Sequence, residues 1–343
     1  MKTRIVTRLI AAVAALALVP ATPVMANDDL GLETAFDSYF GTEVRAPVNY
    51  NPTYSTPLEQ LVAQVADGRQ GRIGVAAIDL STGESVSILG DQAFPMASTS
   101  KIAIAATYLE MVDQGRASLT SEYPLLMPLR SARFSSPAAP VREGEYMTAA
   151  ELIDIMITRS SNPATDAMLA AVGGVSAVND WARRAGISNF NLTRDIATLV
   201  RDDGEFDPAV HVDLRDSSTP RAMVELLAGI YQGRWLSPAS RSLMISTMER
   251  TRTGARRIRG LMPGDVTVAH KTGSLNNTSS DIGIITAPDG RSIAVAIYVT
   301  GQGTRANREA RIASIARAIY DGYTARANDG RVYASAEYPV AGS

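Results

Sequence analysis

From Ile102 to Val112 the chain is apolar on almost every side, with Ile102, Ala103, Ile104, Ala105, Ala106, Tyr108, Leu109, Met111 and Val112. A helix with no polar face has nothing to show to water, so it must lie inside a sizeable domain. Its shell cannot be stapled together, because the chain contains no cysteine. The 343 residues are enough to build that shell from apolar packing alone.

Residues 1–26 read as a secretory leader. Lys2, Arg4 and Arg8 precede an apolar run from Leu9 to Val19, Pro20 breaks it, and Val24-Met25-Ala26 offers a small-residue cleavage site. The run is too short for a membrane-spanning helix. The expectation is therefore an exported protein, periplasmic or secreted, with no stable membrane anchor after cleavage. Loss of the three basic residues in the leader takes the net charge from −2 to −5, which argues against nucleic acid as a partner. With two histidines and no cysteine, a structural zinc site is not expected. We expect no cofactor, and a monomer.

Residues 27–55 read as an extended arm rich in Pro, Asn and Thr. Thr56-Pro57 with Glu59 marks a capping box and opens a helix to about Asp67. Arg72 to Leu80 and Ser85 to Leu89 flank a Ser-Thr-Gly-Glu turn and read as a hairpin. Helices follow over Ser98–Gln114, from Thr148 to about Thr158, over Pro163–Ala171 and over Ser176–Ala185, the last stopped by Gly186. Residues 187–219 are polar, acidic and aperiodic, as in a long ordered loop. Pro220 and Pro238 open two more helices. Val266–Ser274, Asp281–Ala287 and Ser292–Thr300 read as strands, Arg305–Tyr320 as an amphipathic helix, and 326–343 as a flexible tail. This order implies an α/β (α+β) fold over 56–325. An α/β lobe (about 56–97 and 221–325) is interrupted by an all-helical lobe (about 98–220), with a cleft between them.

The chain has 30 arginines but only three lysines, of which two, Lys101 and Lys271, lie outside the leader. Arginine stays protonated at any working pH, whereas a lysine that is buried or set near another cation can act as a base. Ser98 and Lys101, three apart at a helix start, share one face. Neutral Lys101 could take the Ser98 proton and free the oxygen to attack a carbonyl. Ser-x-x-Lys alone arises by chance about once in a chain this long. Ser160-Ser161-Asn162 could supply a proton relay (Ser160) and an amide for a substrate (Asn162). In Lys271-Thr272-Gly273-Ser274, the cation and hydroxyl suit a carboxylate. Gly273 leaves room for a substrate backbone, and the Ser274 N–H with that of Ser98 could form an oxyanion hole. His270 precedes Lys271 on a strand and so faces away from it. His211 and His270 read as solvated or structural.

These three motifs, in this order and these contexts, resemble those of the penicillin-interacting serine enzymes, most closely the class A β-lactamases. The resemblance covers roughly Pro57 to Tyr320 and includes Phe94-Pro95-Met96-Ala97, Arg215-Asp216, Pro220, Arg257-Ile258-Arg259 and Pro263. It implies the β-lactamase/transpeptidase-like two-lobed fold, with an antiparallel sheet flanked by helices. It also implies a role for Arg257 in holding the substrate carboxylate. Class A enzymes keep a Glu two residues after an Arg in the long loop, where it activates the water that releases the acyl-enzyme. Two registers compete for that position here. Counting on from Gly186 gives Arg194 and places Ile196 at the Glu position. Counting back from Asp216 gives Arg201 and places Asp203 there, with Glu205 the only Glu in the loop. The implied activity is hydrolysis of β-lactams. One alternative is a D-alanyl-D-alanine peptidase acting on cell-wall peptides without the loop Glu. Another is a penicillin-binding sensor that acylates without turnover.

Overall fold

The computed structural model describes residues 54–336 together with the short strand Val44–Arg45. The leader and most of the arm lie outside the described residues. A five-stranded antiparallel sheet is built from β1 (Ile73–Asp79), β2 (Ser85–Ile88), β5 (Thr267–Leu275), β6 (Thr278–Thr286) and β7 (Ser292–Thr300). Its order is β5-β6-β7-β1-β2. A second hairpin, β3 (Glu122–Pro128) and β4 (Val141–Thr148), projects from the helical lobe. The helices are α1 (Pro57–Val65), α2 (Lys101–Asp113), α3 (Ala149–Thr158), α4 (Asn162–Val172), α5 (Val175–Arg184), α6 (Ile196–Arg201), α7 (Pro220–Tyr231), α8 (Pro238–Glu249) and α9 (Arg305–Ala336).

Local chemistry accounts for most helix starts. Thr56 and Glu59 close a complete capping box on α1, as Thr148 and Glu151 do on α3. Thr219 and Ser237 cap α7 and α8, each followed by Pro at the first position. The sheet is covered on both faces, so its central strand is apolar throughout but still sorts its side chains with period two. Ile293, Val295, Ile297 and Val299 of β7 pack with α1 and α9. Ala294, Ala296 and Tyr298 face the helical lobe. On that side α2 is buried from Lys101 to Leu109, as its apolar circumference requires.

Three differences from the sequence expectation bear on the site. The segment opening α2 is a 3₁₀ turn, Ala97–Ser100, and the α-helix proper begins at Lys101. The β3–β4 hairpin has no counterpart in the sequence reading, because the isolated hairpin mixes apolar and charged residues without clean alternation. Helix α9 continues to Ala336, past Tyr320 where its amphipathic pattern ends.

Candidate active site

The 3₁₀ turn places Ser98 half-buried at the junction of the two lobes. Ala97, just before it, holds a left-handed backbone (φ 48). That conformation is costly for a residue with a Cβ and is commonest where function over-determines the backbone. The turn leans on β5. A Cβ on Gly273 would strike Ser280 Oγ and come within 2.8 Å of the Met96 carbonyl. The glycine of the Lys-Thr-Gly motif is therefore needed for close approach of the turn carrying Ser98.

Lys101 is fully buried. Its Nζ donates to Ser160 O (2.9 Å), Ser160 Oγ (3.2 Å) and Asn162 Oδ1 (2.8 Å). Lys271, also fully buried, donates to Ser160 Oγ (2.9 Å) and to the Thr272 carbonyl (2.9 Å). Ser160 thus joins the two lysines through a single hydroxyl, held by a backbone that is itself left-handed (φ 57). Burial lowers the Lys101 pKa to about 7, against an opposing pull from Asp166. Burial also drives Lys271 well below the usual lysine range, helped by the charges of Lys101 and Arg257 and opposed by Asp281. Among the described residues the Lys101 amine hydrogen-bonds Ser160 and Asn162 and not the Ser98 hydroxyl; a lysine near neutrality three residues from Ser98 is a candidate general base.

The supporting residues are placed as follows. Ser161 caps α4 by accepting from Ala164 N (3.3 Å). The Thr272 hydroxyl bonds that of Thr253 (2.7 Å). Arg257 is buried beneath β5 and β6, where it donates to the Gly273 and Ser280 carbonyls (2.7 Å each) and to Ser274 Oγ (2.7 Å). Glu309 lies beside its guanidinium at 3.2 Å. Arg257 therefore reaches the cleft strand through Ser274. His270 points to the other side of β5, as expected. Its Nδ1 lies 2.9 Å from both Asp281 oxygens, with Nε2 buried and unpartnered. His211 is exposed in the loop.

One of the long loop's ion pairs joins its two ends. Arg194 Nε donates to Asp216 Oδ2 (2.7 Å), and Asp216 also accepts from the backbone of Thr193 and Arg194. Arg201 instead pairs with its neighbour Asp202 (2.7 Å) and with Ser136 at the tip of the β3–β4 hairpin. Counting on from Gly186 is the register in which arginine and aspartate meet, so Ile196 occupies the position two residues after that arginine. Its side chain is buried. Asp203 lies farther along and accepts from Asn276 N (2.7 Å), just beyond the end of β5; burial raises its pKa above the usual aspartate value. Glu205 is held by Arg215 Nη2 (2.7 Å).

Sequence reading passed over Asp166. It is 4% exposed and accepts from Ile196 N (2.7 Å) and Ala197 N (2.9 Å). Its spacing of four from Asn162 on a helix was the available signal. Arg72 was missed as well. Buried just before β1, it ties down the return of the loop by donating to the carbonyls of Pro208 and His211.

The chain is similar to known proteins along most of its length. The extended-spectrum β-lactamase PER-1 of Pseudomonas aeruginosa is 28% identical over 293 residues, covering 82% of this chain and 90% of that protein. β-Lactamase Toho-2 of Escherichia coli is 31% identical over 280 residues, covering 81% and 92%. Among solved structures, a β-lactamase from Chitinophaga pinensis matches with a TM-score of 0.68 at 29% identity, over 78% of this chain and all of that one. An ancestral class A β-lactamase reconstructed for Gram-negative bacteria matches with a TM-score of 0.65 at 33% identity, over 77% and 99%. The sequence profile described as the β-lactamase enzyme family spans residues 57–323, which is α1 through nearly all of the packed part of α9, and the chain belongs to that family as a class A-like serine hydrolase.

Proposed function

We propose that this protein opens β-lactam rings by forming an acyl-enzyme on Ser98. The observation that carries the reading is the Lys101–Ser160–Lys271 chain. It supplies a base of pKa about 7 on the helix that begins beside Ser98, and a hydroxyl poised between two amines. Lys101 takes the Ser98 proton as the oxygen attacks the lactam carbonyl. The C–N bond breaks, and Ser160 passes a proton to the leaving nitrogen. The backbone N–H groups of Ser98 and Ser274 stabilise the oxyanion. Lys271 and Thr272 bind the substrate carboxylate, Asn162 binds its side-chain amide, Gly273 keeps the strand close, and Arg257 steadies Ser274 from below. Release of the acyl group needs an activated water. Of the two acids proposed from the loop, Asp203, with its raised pKa beside the end of β5, suits general-base work better than Glu205, whose carboxylate Arg215 engages. The leader-like segment 1–26 supports export to the periplasm or medium. Among the described residues, no helix is long and apolar enough to cross a membrane.

One observation favours a second reading. Ile196, at the position where the family keeps a Glu, has no acid–base chemistry. A D-alanyl-D-alanine peptidase uses the same acylation machinery without that Glu. Parallel assays decide between them: ring opening of a penicillin followed by absorbance, and D-alanine release from a peptide ending in D-alanyl-D-alanine. Many turnovers of the penicillin without D-alanine release support the first reading. D-alanine release with a single turnover of penicillin overturns it in favour of the second.

A further inference from the structure

Asp166 stands one helical turn beyond Asn162 on α4, so the two side chains leave the same face. At one end of that turn, Asn162 Oδ1 accepts from Lys101 Nζ at 2.8 Å. At the other, the Asp166 carboxylate accepts from the first two backbone N–H groups of α6 at 2.7 and 2.9 Å. The side chain of Asp195 occupies the same helix end, accepting from Thr198 N at 2.6 Å. Two acids thus share one helix terminus, and the inner one is buried. No ion pair to Asp166 is present among the described residues. A carboxylate held only by two amide donors in a buried site acts at range on the cations around it, because little water screens it.

We propose that Asp166 is a positioning residue that holds α6 against α4 and, through its negative charge, raises the proton affinity of Lys101. The inference rests on the reading of Ser98 and Lys101 as nucleophile and base. The groups facing each partner are few. The charges that bear on Lys101 are those of Asp166 on α4 and Lys271 on β5. Asp166 is faced by Lys101 from α2 and by Asp195 from the loop. Lys271 has Arg257 and Asp281 around it. The directions agree with the geometry: burial lowers Lys101 and Asp166 opposes that fall. Burial raises Asp166 to about 6, opposed by its two amide donors and, more weakly, by Lys101. With isoleucine at 196, Asp166 is the acid through which the loop and the lysine are linked.

The scarcity of lysine makes a direct test possible. Protein carrying ¹³C at lysine Cε, with its leader removed, has only Lys101 and Lys271 to observe, and each titration can be followed by NMR. Removing the carboxylate in Asp166→Asn should lower the Lys101 midpoint by about one pH unit. The ascending limb of Ser98 acylation by a penicillin should move with it. Asp166→Glu, which keeps the charge, should leave the midpoint near that of the wild type. Asp166→Ser provides a second neutral replacement should the asparagine variant fold poorly. Neutral variants that lower thermal stability but leave the Lys101 midpoint unmoved, or raise it, would overturn the inference and leave Asp166 a loop anchor only. A wild-type protein that forms no Ser98 adduct would instead overturn the underlying reading, and the NMR midpoints would still judge the electrostatic link.

Discussion

Two lysines in a chain of arginines carry the acylation chemistry proposed here, and Ile196 offers a test of how that chemistry ends. Ile196 is buried with its backbone fixed by Asp166, at the point where the loop meets α4. A carboxylate there would stand where the class A resemblance places the water-activating Glu. Because Asp203 stands farther along the loop and is one methylene shorter than a Glu, Ile196→Glu is expected to accelerate loss of a penicilloyl adduct by about 10²-fold, the scale for correcting a misplaced group, with little effect on its formation. Time-resolved intact mass measures both steps. Unchanged adduct lifetime would mean that this position does not face the acyl group. The motif residues were legible in sequence because three short motifs, each weak alone, occur together in the order that carries the resemblance to class A β-lactamases. Ile196 was legible only as one of two registers, since sequence does not show which arginine Asp216 reaches across more than 20 intervening residues. Asp166 was passed over because an acid inside a helix usually reads as a solvated face.

At the scale of elements, the loop between α5 and α7 is held from four sides. Asp216 binds Arg194 and the Thr193 backbone, Asp166 caps α6, the hairpin tip receives Arg201, and Arg72 holds the return segment. The least replaceable of these is Asp216, 2% exposed and accepting from two backbone amides, a hydroxyl and a guanidinium. Asp216→Ala leaves those donors buried or half-buried without a partner. It should destabilise the loop by about 3 kcal/mol, the scale for breaking such a pair. Hydrogen exchange should quicken over 193–201 while the amides of β7 stay protected. Uniform loss of protection would show that the loop does not open on its own. Helix capping made most helix starts readable. The hairpin was not readable, because its order comes from packing on α4 and from the tip's bonds to α6, both distant in sequence.

The whole molecule is a sheet with a core on each face, and the proposed cleft lies along the inner one. Its seam shows at Gly74 on β1, where a Cβ would run into the ring of Phe94. Phe94 in turn lies against Tyr298 and beneath the guanidinium of Arg72, four residues before Ser98. Gly74→Ala should overpack this junction at a cost of about 2 kcal/mol, lowering the melting temperature by several degrees. Acylation should slow as well, because the turn carrying Ser98 rests on the same contacts. A variant with wild-type stability and acylation would show that the seam yields without strain. The two-lobed plan followed from element order alone, since strands, helices and strands in sequence leave few compact arrangements. The sharing of both faces between two cores emerged only from the strand register.

The claim on which all of this depends is that Ser98 attacks the lactam carbonyl. Intact mass of the protein mixed with a penicillin, followed over time and compared with Ser98→Ala, tests it directly. The account predicts a gain equal to the full mass of the penicillin, located on the peptide containing Ser98 and absent from the variant. No gain in mass when the wild-type protein is sampled from the earliest mixing times, or an adduct that persists in Ser98→Ala, would contradict it.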